Sequence, residues 1–349
     1  MRLEPREDAT PWLTLMAPVG AVAVALILCA ALILWTGQDP FTAYGLLFKG
    51  ALGSRFAITE TLTRATPMIL TGLAAAVAFR AKLWNIGGEG QFYMGALAAT
   101  WLGAGAVVLP SWLMVPFLVV AGALAGGLLL LIPALLRNKL KVDEVVTTLL
   151  LNFIVLLFVN YLLEGPLKDP MSMGWPQAAP IIDQGLLPQI LTKSRVHLGL
   201  ILALASAIIV WAVMRFTVWG YEIRAVGYNA AAAAFSGVKI NRTIVMTALI
   251  SGGLAGIAGV SEVAGTKGYL TLDLSPGFGY AGIAVAMLAA LHPLAVILSA
   301  LFLASIYVGA DSMSRALNVP TYISDVIVGT SVLAVLVSLM LTRFRIKWR

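Results

Sequence analysis

Charged side chains are scarce in this sequence. Of its 349 residues, 11% are Asp, Glu, Lys or Arg, while 60% are hydrophobic. A soluble domain carries about 25% charged residues, so a soluble fold of this length would lack the groups that cover a water-facing surface. The composition excludes a soluble enzyme or a DNA-binding protein in spite of the net charge of +7. It indicates an all-α polytopic membrane protein.

Residues that bind metals or form disulfides are also few. Cys29 is the single cysteine, which excludes a disulfide framework and a cysteine-based metal site. The two histidines, His197 and His292, lie far apart, which excludes a histidine-rich metal cluster. The sequence has no phosphate-binding loop, and its one G-x-G-x-x-G match, from Gly277, lies in an uncharged run without a βαβ context. We therefore expect a chain without enzyme activity that holds no cofactor or metal.

Hydrophobic runs long enough to cross a bilayer recur along the chain, and each crossing needs about 20 apolar residues. They predict about ten transmembrane helices in a single domain that covers residues 1–349. The uncharged stretch 274–310 is predicted to hold two short spans that are broken near His292, and the first span is expected to be an uncleaved anchor. The other spans are predicted at 15–35, 61–79, 87–109, 112–136, 145–163, 196–214, 244–265 and 323–342.

Basic residues are distributed unevenly between the loops. With the N-terminus inside, the predicted cytoplasmic segments hold fifteen of the 23 Lys and Arg residues. Because Lys and Arg favour the cytoplasmic side, both termini are predicted to be cytoplasmic, with residues 1–14 at one end and the basic tail 343–349 at the other. The loop 164–195 then lies outside. Its many prolines and glycines predict an irregular segment, either a connector or a docking surface.

The inner loop 217–243 has the clearest local pattern. Gly220 is predicted to end the preceding helix and Gly227 to break the run that follows. Asn229 can cap a short alanine-rich helix, which Gly237 ends. A helix of such small residues can lie close against another protein but is too small to anchor in lipid. We therefore predict that it docks a partner on the cytoplasmic face.

Three glycines in four residues weaken the helix at the start of the third predicted span. We call residues 85–91 the glycine-rich segment. Transporters tolerate a broken helix where it lines the transport path. Asn85, Glu89 and Gln91 are polar and Phe92 is flat, a mixture that suits a sugar or a heterocyclic base. The alternative is a site of close helix packing, which glycines also permit.

Other small and polar residues of the spans are interpreted as structural. The two G-x-x-x-G patterns, which begin at Gly122 and Gly252, predict close helix packing. Asn152 and Asn160 lie on one face of the fifth helix and are expected to bond a neighbouring helix more than a solute. The acids at 143 and 144 are expected to begin that helix, where the helix dipole favours negative charge.

Three stretches of the chain resemble one family. They are AKLWNIGGEGQFYMGALAA, GYEIRAVGYNAAAAAFSGVKI and ISGGLAGIAG. They are similar to the permeases of bacterial ABC importers for branched-chain amino acids and simple sugars. The string N-I-G-x-E-G-Q is most similar to the nucleoside-type branch, whose partners include a binding protein of the basic membrane protein class. The resemblance extends from about residue 61 to residue 337.

This resemblance implies a transport subunit of a bacterial plasma membrane that works by alternating access. It implies a second permease, identical or homologous, an extracytoplasmic binding protein, and ATPase subunits that carry the ATP and Mg²⁺. The ATPase-coupling residues that it implies are Glu222, Arg224, Gly227, Asn229, Ala232 and Gly237. Asn85, Glu89, Gln91 and Phe92 are expected to line the translocation path. Ala230 departs from the family, in which a proline or a charged residue is common at that position.

Three alternatives stay open at this point. The same family includes importers of ribose, of other sugars and of branched-chain amino acids. An ion-coupled secondary transporter would need carboxylates near the middle of the membrane, where Glu89 is the one partial match. A membrane-embedded transferase would need paired acids for a metal, and 143–144 is the one adjacent pair of acids in a predicted cytoplasmic loop.

Overall fold

The computed structural model describes residues 33–318 without a gap and shorter stretches outside that range. These stretches are 2–5, 23–24, 26–31, 322, 325–327, 329–330, 333–334, 337–338 and 344–347. The predicted spans 15–35 and 323–342 and the predicted terminal segments 1–14 and 343–349 lie partly outside the described residues.

Nearly all of the regular structure is helical. The α-helices are α1 (Leu26–Trp35), α2 (Pro40–Leu52), α3 (Arg55–Arg80), α4 (Gly88–Trp101), α5 (Ser111–Leu140), α6 (Glu144–Glu164), α7 (Gly199–Phe216), α8 (Val218–Tyr228), α9 (Ala230–Phe235), α10 (Ile240–Glu262), α11 (Phe278–Leu288) and α12 (Pro293–Leu317). The π-helical turns Leu102–Ala106 and Val263–Lys267 extend α4 and α10, and Asp183–Gly185 forms a 3₁₀ turn. Two four-residue strands, β1 (Arg2–Pro5) and β2 (Phe344–Lys347), pair antiparallel.

Six of these helices are long and apolar enough to cross a membrane, namely α3, α5, α6, α7, α10 with its π-turn, and α12. The pair α1 and α2, bent by 115°, forms a seventh if it counts as one span. The prediction of an all-α polytopic membrane protein is therefore confirmed. The predicted break near His292 is present too, since α11 ends at Leu288 and α12 begins at Pro293.

Two predicted spans are shorter in the structure than their apolar runs suggest. The helix α4 has 14 residues before its π-turn, within which Ala104 and Gly105 leave helical geometry, and α11 has 11. A helix needs at least about 17 residues to cross the hydrocarbon core. The rest of each run is π-helical or irregular. The 13-residue helix α2 was not predicted, although Asp39 followed by Pro40 is a helix-start signal. The side chain of Asp39 caps this helix by accepting a hydrogen bond from the N–H of Thr42.

The chain forms two compact units, residues 1–61 with 301–349, and residues 62–300. In the first unit, the hydroxyl of Thr61 donates a hydrogen bond to the carbonyl of Ala51 at 3.1 Å, which fixes the start of α3 against the end of α2. The prediction of a single domain over 1–349 stays a prediction.

In the second unit α10 is the central helix and packs against α5 and α4. Where α10 crosses α5, a Cβ atom on Gly256 would lie 2.1 Å from the carbonyl oxygen of Gly122. A Cβ atom on Gly252 would lie 2.4 Å from that of Gly126. No side chain fits at these distances, so the glycines bring the two backbones into contact. The packing predicted for both G-x-x-x-G patterns is confirmed.

Candidate functional site

The glycine-rich segment forms the irregular connection between α3 and α4. Its first and last side chains bind each other through two hydrogen bonds, Asn85 Nδ2 to Gln91 Oε1 at 2.9 Å and Gln91 Nε2 to Asn85 Oδ1 at 2.8 Å. Asn85 Oδ1 also accepts the N–H of Gly87, and Asn85 Nδ2 donates to Ser251 on α10. The amide pair thus ties the two ends of the segment together, and Asn85 also satisfies the backbone N–H of Gly87.

Glu89 joins the starts of two short helices. It lies in the first turn of α4, and its carboxylate accepts the N–H of Gly279, in the first turn of α11, at 2.7 Å. The first N–H groups of a helix have no partner within the helix and carry partial positive charge, so a carboxylate there stabilises both helix ends. Glu89 is buried, and its carboxyl group faces these backbone dipoles.

Aromatic side chains continue the buried cluster along α4. Phe92 packs against Tyr93 and Phe278 with ring centroids 5.5 and 6.1 Å apart. The hydroxyl of Tyr93 donates to the carbonyl of Leu272 and accepts the N–H of Ser275. These contacts hold the irregular stretch that leads into α11 against α4.

The four residues predicted to line the translocation path are brought together, but within the protein interior. Asn85, Glu89, Gln91 and Phe92 are each at most 4% exposed, and the hydrogen bonds above engage their polar groups inside the chain. This buried environment matches the alternative interpretation of the glycine-rich segment, a site of close helix packing. Contact with a solute stays a prediction, and it requires a conformation in which this interface opens.

The inner loop forms two helices at one end of the second unit. Thr217 ends α7 and caps α8, because its hydroxyl accepts the N–H of Gly220. Gly220 therefore lies inside α8, and the prediction that it ends the preceding helix is wrong. Gly227 also lies inside α8 and does not break the run. A Cβ atom there would lie 1.8 Å from the carbonyl oxygen of Arg80, so this glycine seats α8 directly on the end of α3.

The predicted short helix of the inner loop is present as α9. Asn229 caps it by accepting the N–H of Ala232 at 3.1 Å, as expected. The chain leaves the helix through Gly237, whose φ of +89° favours glycine. The side chain of Phe235 at the end of α9 is 96% exposed, so α9 presents a large apolar group to the surroundings.

The remaining predicted coupling residues lie nearby. Glu222 is half-buried on α8 and accepts a hydrogen bond from the hydroxyl of Thr243 on α10 at 3.3 Å. Arg224 is half-buried on α8, three residues before Gly227, and Ala232 is exposed on α9. A cleft of about 790 Å³ opens beside α9, between the ends of α3, α5 and α8 and the starts of α6 and α10. Its lining includes Lys82, Arg137, Lys141, Asp143, Glu144, Tyr228 and Asn229.

The loop 164–195 pairs through its main chain with the π-turn that extends α10 and with the residues directly after that turn. Ala178 N–H donates to Leu270, Ile181 N–H to Gly268, and Leu187 N–H to Ala264. Just after this loop, His197 is buried, and burial lowers its pKa to about 4. Its Nδ1 accepts the N–H of Gly199 at 3.1 Å, which needs the neutral ring. Whether this loop is a connector or a docking surface stays a prediction.

Several residues of the buried cluster were not singled out as site residues from the sequence. Ser251, Thr148 and Tyr280 bond to the glycine-rich segment or to Asn152. For Thr148 a signal was available, because Glu144, Thr148 and Asn152 recur at four-residue spacing on α6. Among the described residues, no group of three or more His, Cys, Asp or Glu side chains is placed to hold a metal ion.

Comparison with known proteins places these features in a family. Residues 57–336 match the family described as the permease component of branched-chain amino acid transport systems. The chain is 36% identical to the guanosine ABC transporter permease protein NupP of Bacillus subtilis, over 92% of each chain. It is 35% identical to the glucose ABC transporter permease protein TsgB13 of Haloferax volcanii, over 99% of this chain and 93% of that one. It is 31% identical to the nucleoside ABC transporter permease protein NupB of Lactococcus lactis, over 86% and 85%.

Proposed function

Since this chain belongs to the permease family of branched-chain amino acid transport systems and is a permease subunit of an ABC transporter, we propose that it forms the path for a nucleoside or a related simple sugar. Two relatives that cover most of the chain are named for guanosine and nucleosides, which supports the nucleoside. The relative named for glucose supports a sugar as the second candidate.

The observation that best supports this function is the position of α8 against the end of α3, with α9 directly after it. They are exposed at one end of the second unit, and Gly227 rests on the carbonyl of Arg80, five residues before the glycine-rich segment. We call residues 217–243 the coupling segment. A push on this segment reaches the broken helix through direct backbone contact, which is what alternating access driven from the cytoplasm requires.

In this proposal the chain contributes the translocation path and the coupling segment, and separate ATPase subunits bind and hydrolyse ATP. Those subunits dock on the coupling segment, while an extracytoplasmic binding protein delivers the solute to the opposite face. A second permease, identical or homologous, completes the path. The complex resides in the plasma membrane of a bacterium. The part of the translocation path that opens and closes is lined by Asn85, Glu89, Gln91 and Phe92.

The proposal is tested with Gly227→Ala, which forces a methyl group against the carbonyl of Arg80 and displaces the coupling segment. Gly45→Ala is the matched control, because a Cβ atom there meets nothing within 4 Å. We expect the wild-type complex and the control to show ATP hydrolysis that guanosine or glucose stimulates, and Gly227→Ala to lose at least about tenfold of that stimulation, or about 1.4 kcal/mol. Equal stimulation in all three proteins would contradict the role of the segment.

A further inference from the structure

One face of α6 carries three buried polar side chains at four-residue spacing. They are Glu144, Thr148 and Asn152, at most 9% exposed. Residues four apart lie one above another on a helix, so the three form a continuous stripe, called the α6 stripe below. On a helix that is mainly apolar, such a stripe needs partners, because an unbonded polar group in a membrane interior is costly.

The partners of the α6 stripe are backbone groups of the broken connection before α4. Thr148 Oγ1 accepts the N–H of Ile86 at 3.2 Å. Asn152 donates to the carbonyl of Ile86 at 2.9 Å and accepts the N–H of Gly90 at 2.8 Å. Glu144 Oε1 receives the N–H of Trp84 at the longer distance of 3.4 Å. The side chains of α6 thus replace the backbone ladder that a continuous helix would have, so the connection must follow α6 when α6 moves.

At its cytoplasmic end the stripe is joined to the last turn of α5. Arg137 Nη1 lies 2.8 Å from Glu144 Oε1, and the same Nη1 donates to the carbonyl of Lys82 at 2.9 Å. The neighbouring Asn138 donates to the carbonyl of Asn241, which belongs to the coupling segment, at 3.1 Å. Two consecutive residues of α5 therefore hold the coupling segment on one side and the α6 stripe on the other.

At its far end the stripe reaches the second short helix. Asn152 Nδ2 donates to the hydroxyl of Tyr280 on α11 at 3.1 Å. In the same part of the structure, Glu89 holds the start of α11 through the N–H of Gly279. The stripe thus ends where the starts of both short helices meet.

We propose that the Arg137–Glu144 ion pair is the positioning element that transmits movement of the coupling segment through the α6 stripe to the glycine-rich segment. This inference rests on the proposed function and adds a second route to the direct seat of Gly227. The pair joins α5 to α6, and Arg137 also bonds to the carbonyl of Lys82 in the connection between α3 and α4. It therefore makes α5, α6 and this connection move together. Without the pair, movement of the coupling segment is transmitted less completely to the glycine-rich segment.

The test compares Glu144→Gln with wild type in the complete complex, reconstituted in proteoliposomes. Glutamine keeps an oxygen that can accept the N–H of Trp84 but loses the charge that holds Arg137. Glu164→Gln is the matched control, since Glu164 lies at the other end of α6 and its carboxylate lies 3.6 Å from Lys168 at an exposed site. The quantity measured is labelled guanosine, or glucose, taken up per ATP hydrolysed, with basal ATP hydrolysis measured in parallel.

We expect Glu144→Gln to keep its basal ATP hydrolysis and to take up about tenfold less solute per ATP, while Glu164→Gln resembles wild type. A side chain with a purely structural role would lower the amount of folded complex and leave this ratio unchanged. Thr148→Val is the milder second variant. It removes only the acceptor for the N–H of Ile86. We expect it to lower solute uptake per ATP by a smaller factor than Glu144→Gln.

A double-mutant cycle decides whether the pair acts as a unit. If it does, Arg137→Gln with Glu144→Gln is no worse than either single variant, since both remove the same link. Additive losses, or a normal ratio in both Glu144→Gln and Thr148→Val, would overturn the inference and leave the proposed function intact. A wild-type complex that takes up neither solute at the expense of ATP would overturn the proposed function, and the inference with it.

Discussion

Replacing Asn152 by leucine removes a side chain that serves two buried backbone groups of the glycine-rich segment. The N–H of Gly90 and the carbonyl of Ile86 bond to Asn152 at 2.8 and 2.9 Å. Leucine has the same branched heavy-atom skeleton with bulkier methyl groups, so the change leaves the two groups without a partner and opens no cavity. Each buried group left unsatisfied costs about 1–3 kcal/mol. We expect Asn152→Leu to lower the free energy of unfolding by about 4 kcal/mol.

The measurement is the free energy of unfolding of the purified protein in lipid–detergent micelles, by titration with a denaturing detergent. Asn160→Leu is the control, because Asn160 lies two turns further along α6, is half-buried and takes no part in these bonds. The control is expected to change stability by less than about 1 kcal/mol. If Asn152→Leu also lost less than that, the segment would have other partners, and the α6 stripe would not be what holds it.

Three further predictions concern other parts of the chain. Gly256→Ala places a methyl group 2.1 Å from the carbonyl of Gly122 and is expected to lower the free energy of unfolding by about 1–3 kcal/mol in the same titration, whereas Gly45→Ala does not. The pKa of His197 is lowered to about 4, so the unfolded chain binds more protons and stability falls as the pH drops from about 6.5 towards 4, by at most about 3 kcal/mol. In His197→Asn the thermal unfolding temperature should lose this dependence in that window, and an unchanged slope would refute it. Asn229→Ala removes the cap of α9, worth about 1 kcal/mol, and should weaken ATPase binding about fivefold in a pull-down titration, with no change if α9 is not the docking helix.

Several features follow from the sequence because they depend on neighbouring residues alone. Asn229 can cap α9 wherever that helix lies, and Pro293 suits the first position of a helix, where its missing N–H needs no partner. The glycine patterns at 122 and 252 predict close packing because a face of small residues has few other uses in a membrane. These predictions needed no knowledge of which elements lie side by side.

Other features depend on the tertiary arrangement and could not be predicted. Hydropathy depends on composition and does not distinguish a helix from an irregular apolar stretch. The irregular residues beside α4 and α11 were therefore predicted to belong to two full spans. Gly227 looked like a helix breaker because its partner, the carbonyl of Arg80, lies far away in the sequence. The contacts of Ser251 and Tyr280 with the cluster likewise require α10 and α11 to be placed against α4 and α6.

We propose above that this chain is the permease of an ATP-driven importer of a nucleoside or a related sugar. The most direct test is uptake of labelled guanosine, and separately of glucose, into proteoliposomes that hold the complete complex, with the binding protein outside and ATP inside. We expect uptake of at least one of these solutes that requires ATP and persists when proton and sodium gradients are collapsed. Uptake that follows an ion gradient and continues without ATP would contradict it.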